Sequence, residues 1–219
     1  MTKNEYHHGN LKVEILKIAF DFIKENDVDN LTLKVLGDAT GTSRSAIYRH
    51  FASKDALIES MILDGFDYFD AIVTPILLDK NKHLIDRFYV AGKEYINFAT
   101  TNPNLYRLLF GKKYALTRER LVSLKDEDCS GFGALKIAIE EGQANGILKK
   151  ENSYEQSIVI WSSLHGLSSL IIDGFMDVGE IKDKLYDGMF DMFLSGIASN
   201  KIKLLSTLPF ADKFMQPEK

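Results

Sequence analysis

The chain has 219 residues, 45% hydrophobic and 26% charged, with a formal net charge of −4. That balance excludes a disordered chain and leaves enough length for a substantial core. The sequence pI of about 5.8 excludes a globally basic nucleic-acid binder, so any DNA contact must come from a local patch.

The lone Cys129 rules out an internal disulfide and a multi-cysteine zinc site, and a reducing compartment is expected. No apolar run reaches the roughly 18 residues a membrane span needs. The polar stretch Met1–Gly9 lacks the apolar core of a signal peptide. A soluble, cytoplasmic protein is expected, with no membrane partner and no cofactor.

Helical periodicity runs through the chain. Leu11, Ile15, Ile18 and Phe22, with Leu16, Ala19 and Ile23, occupy adjoining rows of a first helix that Asn10 would cap. Asn26 to Asn30 is a break. A short second helix follows Thr32 as its cap and ends near Gly41, a residue suited to the left-handed end of a helix. Thr42-Ser43 caps a third helix from Arg44 to His50. Ser53 caps a longer fourth helix, with Leu57, Met61, Asp64/Gly65 and Tyr68 along one side and Pro75 kinking or ending it. Further helices are expected at about 82–101, 104–111, 129–145, 153–174 and 181–199, punctuated by Pro103, Gly146 and Gly179. The polar 112–128 stretch reads as a loop or weak helix. No alternating strand pattern is present. The fold class is therefore all-α: an N-terminal three-helix helix-turn-helix domain (1–55), joined by a long helix to a C-terminal helical domain (56–203), then a tail (204–219).

The segment Leu31–Leu57 carries most of the functional signal. Gly41 suits a tight turn between two short helices. Leu36, Ala39 and Ile47 would lock those helices together, leaving Arg44, Ser45, Tyr48 and Arg49 on the outer face of the second. Small side chains at Ser43, Ser45 and Ala46 allow close approach to base edges. Lys34, Tyr48, His50 and Lys54 are placed to hold phosphates. From Lys34 to Lys54 there are four lysines and arginines against one acid, Asp38. A confined basic patch on an acidic chain is compatible with DNA docking. The paired His7-His8 lacks further ligands in sequence, so no metal site is expected.

The run Gly41-Thr42-Ser43-x-x-Ala46-x-Tyr48-x-His50-Phe51-x-x-Lys54-x-x-Leu57 resembles the signature of the TetR family of transcriptional regulators. Tyr6-His7-His8-Gly9-x-Leu11 is similar to the start of one of its subgroups. The resemblance implies that the third helix enters the major groove and that the lysine opening the fourth contacts the backbone. Lys34, Ser43, Arg44, Ser45, Tyr48, His50 and Lys54 match DNA-facing positions. Thr42 stands where the family has valine, and Gly37 where it has alanine.

Farther along, Ser157 to Ile172 has no charged residue and is apolar nearly all round, so burial on more than one side is expected. With Ile181, Leu185, Met189, Met192 and Phe193 of the next helix it could form a four-helix interface with a second copy. Trp161-x-x-x-His165-Gly166 and Pro103-x-Leu105-Tyr106-x-Leu108-Leu109-Phe110 resemble a C-terminal regulatory domain of TetR relatives. That resemblance implies a homodimer and a ligand cavity among the middle helices. Tyr95, Phe98, Tyr106, Phe110, Trp161 and His165 are the candidate lining, and their chemistry favours an apolar or aromatic small-molecule effector.

The expected partners are double-stranded operator DNA and that effector, which would release a repressor from a palindromic site. Phosphate loops, nucleophile elbows and two-histidine metal motifs are absent from the sequence, so no enzyme is expected. The alternative is a helical interaction or ligand-binding protein without specific DNA binding. Salt-sensitive operator binding separates the two.

Overall fold

The computed structural model describes residues 11–122, 130–175 and 177–199. The Asn10 cap, the paired histidines, Cys129 and the 204–219 tail lie outside them. Caps and turn glycines divide these residues into α1 (Leu11–Glu25), a 3-10 turn Val28–Asn30, α2 (Leu33–Thr40), α3 (Arg44–His50) and α4 (Lys54–Leu78). Then come α5 (Leu84–Thr101), α6 (Pro103–Phe110), a 3-10 turn Lys112–Tyr114, α7 (Ala115–Val122), α8 (Gly131–Ala144), α9 (Ser153–Ile172) and α10 (Lys182–Ile197). No strand forms among the described residues; an antiparallel bridge pairs Leu148 with Ala198. The protein is all-α.

The helix starts follow from side chains that satisfy otherwise unpaired backbone N–H groups. Thr32 accepts from the Val35 amide at 3.2 Å and Ser53 from Ala56 at 3.1 Å. Ser130 accepts from Gly133 at 3.0 Å, and Asn152 from Tyr154 and Glu155 at 3.0 and 3.2 Å.

Three features differ from the sequence expectation. The inward row of α4 is Leu57, Met61, Gly65, Phe69, Val73 and Leu77, all buried; Asp64 and Tyr68 are exposed. Gly65 sets the row because α6 comes close there: a Cβ would meet Leu105 Cδ1 at 3.1 Å. Pro75 does not end α4, which continues to Leu78. Burial of Val73 and Leu77 on either side outweighs the hydrogen bond the ring removes. Ala39 faces solvent, because Leu33, Leu36 and Gly37 define the inward face of α2. The 112–122 stretch, expected as a loop or weak helix, forms a 3-10 turn and the short α7, held by side-chain bonds more than by an apolar face. Arg118 Nη1 donates to the Gly111 carbonyl at 2.6 Å, Arg120 pairs with Glu59, and Leu116 is 83% exposed.

The chain divides into two compact units. The first comprises residues 1–69 and 101–125, the second 70–100 and 126–219. In the first, α1 packs against α2 and α6, and α2 against α3. Asn104 Nδ2 donates to the carbonyls of Ile23 and Asn26, at 2.9 and 3.2 Å, pinning the end of α1 to the start of α6. In the second, α8 packs on α9. Arg87, 2% exposed, donates to the Leu77 carbonyl at 2.9 Å and to Glu141 at 2.5 Å. Asp70 accepts from the Gly131 amide at the start of α8 at 2.8 Å.

α9 is not enclosed within the chain. Ile158, Val159, Trp161 and Leu170 are all more than a third exposed, and on α10 Met192 is 75% exposed.

Candidate nucleic-acid interface

α2 and α3 meet at Gly41, whose φ of +63° lies in the left-handed region that only glycine adopts without strain. Thr42 N donates back to the Gly37 carbonyl at 3.1 Å. Thr40 and Thr42 hydroxyls bond each other at 2.7 Å, so the hydroxyl at position 42 has a partner that valine would leave unused. Ser43 caps α3, accepting from the Ala46 amide at 3.2 Å, and its Oγ lies 2.9 Å from that of Ser45. Leu36 and Ile47 are fully buried and Phe51 nearly so, which fixes how α3 is presented.

That packing leaves Arg44, Ser45, Tyr48 and Arg49 exposed on the outer face of α3. The Arg44 guanidinium sits 5.8 Å from the centroid of the Tyr48 ring, and Tyr48 is 43% exposed. Lys34 and Ser43 are exposed; His50 and Lys54 are half-buried. Lys54 opens α4 and donates to the Asp29 carbonyl at 2.7 Å. A lysine ammonium has two more donors, so this bond orients the charge without exhausting it. All seven candidate DNA-facing residues belong to the first unit. Asp29 is a positioning residue that sequence spacing did not flag. Its side chain pairs with Lys113, 84 residues away, and no local periodicity reports such a pairing.

The six candidate ligand residues divide between the units. Tyr106 and Phe110 belong to the first, where their rings lie 4.8 Å apart and Phe110 meets Phe66 and Phe69 edge-on at 5.6 Å. Tyr95, Phe98, Trp161 and His165 belong to the second. There Trp161 Nε1 donates to the Tyr95 hydroxyl at 3.2 Å, and the Trp161 and His165 rings are 5.9 Å apart. Phe132 approaches Trp161 edge-on at 6.2 Å. Tyr95 and Phe98 are buried and Trp161 is partly open. A cavity of about 300 Å³ lies in the first unit, lined by Phe20, Ile23, Gly65, Tyr68, Pro103 and Leu105 among others; none of the six candidates lines it. Among the described residues no group of three or more histidines, cysteines or carboxylates could hold a metal ion. No described helix is long and apolar enough to cross a membrane.

Residues 15–61 match the family model for bacterial regulatory proteins of the tetR family, and residues 89–193 match the tetracyclin repressor-like C-terminal domain. The chain belongs to the TetR family. It is 30% identical over 118 residues to the nucleoid occlusion factor SlmA of Vibrio cholerae, covering 52% of this chain and 60% of that one. The chain thus spans about three fifths of the length of the curated relatives it matches. A solved protein of unknown function from Rhodococcus sp. RHA1 is 25% identical, with a TM-score of 0.77 over 90% of this chain and 100% of that one. AibR, solved with isovaleryl coenzyme A and operator DNA, shares the fold at 18% identity, with a TM-score of 0.61 over 83% of this chain and 97% of that one. TetR-family members are DNA-binding transcriptional regulators, and the helix-turn-helix of this chain falls within the matched N-terminal model.

Proposed function

We propose that this TetR-family chain is a ligand-responsive repressor that binds a palindromic operator as a homodimer and is released by a small molecule. The reading head is residues 1–55, the regulatory and dimerisation domain 56–203, and the tail 204–219. The observation that carries the reading is the left-handed Gly41 turn, with Ile47 buried and Arg44, Ser45, Tyr48 and Arg49 turned outward. Arg44 and Ser45, with Ser43 small enough to allow close approach, face base edges, while Lys34, Tyr48, His50 and Lys54 hold phosphates.

Dimerisation is supported by the apolar faces that α9 and α10 leave open. Exposed apolar area of this kind marks an interaction surface, and a self-complementary contact of two helices per copy gives a closed dimer. Two copies of α3 then reach successive major grooves about one turn apart.

An effector site is supported by the aromatic group of Tyr95, Phe98, Trp161 and His165, whose Trp161–Tyr95 hydrogen bond places polar atoms beside apolar rings. That lining favours an apolar or aromatic effector; AibR, which shares the fold, was solved with isovaleryl coenzyme A and operator DNA, so acyl thioesters join the first screen. The effector acts by favouring a dimer form whose two reading heads no longer match the operator spacing. α4, which runs unbroken through Pro75, is the proposed transmission path.

The test is binding to genomic DNA fragments, including the region upstream of the protein's own gene, against excess non-specific competitor. Wild type is expected to retain specific fragments, and Tyr48→Ala with Lys54→Ala to lose them. Failure of wild type to select any fragment would favour the interaction-protein reading.

A further inference from the structure

The turn that follows α6 carries two adjacent lysines, Lys112 and Lys113, both exposed, and neither belongs to the helix-turn-helix. The fold brings this turn back across the sequence to the 3-10 turn Val28–Asn30. Lys113 pairs with the Asp29 carboxylate, and its ammonium also lies 5.6 Å from the Tyr114 ring. The carbonyl of the same Asp29 accepts from Lys54 at 2.7 Å. One residue therefore holds two lysines, from positions 59 residues apart, at one edge of the reading head. The Asp29 amide is in turn held by the Asp27 carboxylate at 2.7 Å, so the anchor is itself fixed. Thr32, the exposed cap of α2, follows three residues later.

We infer that the Lys112–Lys113 turn is a second backbone-binding element that extends the phosphate contacts of the helix-turn-helix beyond Lys54. The inference rests on the DNA-binding reading above. The physical argument is one of charge placement. Duplex DNA presents a line of phosphates, and lysines that share an edge with a phosphate-holding residue enter the same field. Asp29 would oppose that line if left bare, and Lys113 neutralises it; Asp27 and Asp55 stand by Tyr114 at the same edge, so what the turn adds is lysine ammonium groups placed beside that of Lys54 rather than net charge. Contacts of this kind set orientation and affinity and carry no base preference.

The experiment measures the affinity of the full chain for a selected operator between about 50 and 200 mM salt. It compares wild type, Lys112→Ala/Lys113→Ala and Lys112→Arg/Lys113→Arg. Each phosphate contact contributes about 0.9 to the slope of log affinity against log salt. The alanine pair is expected to flatten the slope by about 1 to 2 and to weaken binding roughly tenfold or more at the low-salt end. Its preference for operator over scrambled DNA should fall no further than that of wild type at higher salt. The arginine pair keeps the charge and should keep the slope. An alanine pair with wild-type slope and affinity overturns the inference while leaving the regulator reading intact. A loss that the arginine pair shares, with a lowered melting temperature in both, also overturns it, because the turn would then act through folding. Absence of salt-sensitive operator binding by wild type overturns both readings.

Discussion

The ion pair of Arg87 and Glu141 shows what single residues do in the second unit. Arg87 is almost wholly buried and needs acceptors. It finds the Leu77 carbonyl near the end of α4 and both oxygens of Glu141 on α8. Lys80 adds a second cation at 2.5 Å. The hydrogen bonds from Arg87, then from Lys80, hold the Glu141 carboxyl below its ordinary value. A carboxylate whose folded value is depressed stabilises the fold above its unfolded value, and that contribution is lost as pH falls through the folded one. Replacing Glu141 with glutamine leaves Arg87 buried without its counter-charge. It is expected to cost about 2–3 kcal/mol at neutral pH, at or below the lower bound of about 3 kcal/mol for a fully buried pair, because Glu141 is partly exposed. Thermal melts from about pH 7 down to pH 3 check the assignment. Wild type should lose more stability over the acid part of that range than Glu141→Gln does; parallel curves would mean the pair does not supply the difference. None of this was legible in the sequence, because the partners lie 54 positions apart and each reads as one more charge on a polar face.

At the scale of helices, legibility followed local chemistry. The starts and stop of α2 and α3 were readable because Thr32, Gly41 and Ser43 act on their immediate neighbours. The run of α4 past Pro75 was not, because burial of Val73 and Leu77 decides it. α7 was legible only as a loop or weak helix, because its polar composition does not show that Arg118 and Arg120 hold it. The seven candidate DNA-facing residues were read from motif and spacing, and the structure adds only their placement; the Asp29 anchor depended on tertiary contact. Gly37 offers a test at this scale. It sits mid-helix in α2, where glycine costs about 0.5–1 kcal/mol relative to alanine. A Cβ there would meet the Thr42 carbonyl oxygen at 3.4 Å and Ile47 Cγ1 at 3.9 Å, ordinary contact distances. Gly37→Ala is therefore expected to stabilise the protein by about 0.5–1 kcal/mol in denaturant unfolding. Destabilisation would show that the turn needs the space a methyl group takes.

At the scale of the molecule, an acidic chain carries a locally net-positive stretch from Lys34 to Lys54 and leaves apolar surface on its last two described helices. The sequence showed both features: the first as four basic residues against one acid, the second as an uncharged segment apolar nearly all round. The sequence expected α9 to be buried on more than one side, with a second copy supplying part of the cover; in one copy Ile158, Val159, Trp161 and Leu170 are exposed, which supports that proposed surface. In the proposed dimer, two such chains present two α3 helices to one operator. The most direct measurement is a hydroxyl-radical footprint of the purified protein on a DNA fragment it selects. Two protected patches, related by two-fold symmetry and centred about one helical turn or slightly more apart, are the predicted result. A single protected patch, or none that survives non-specific competitor, would contradict it.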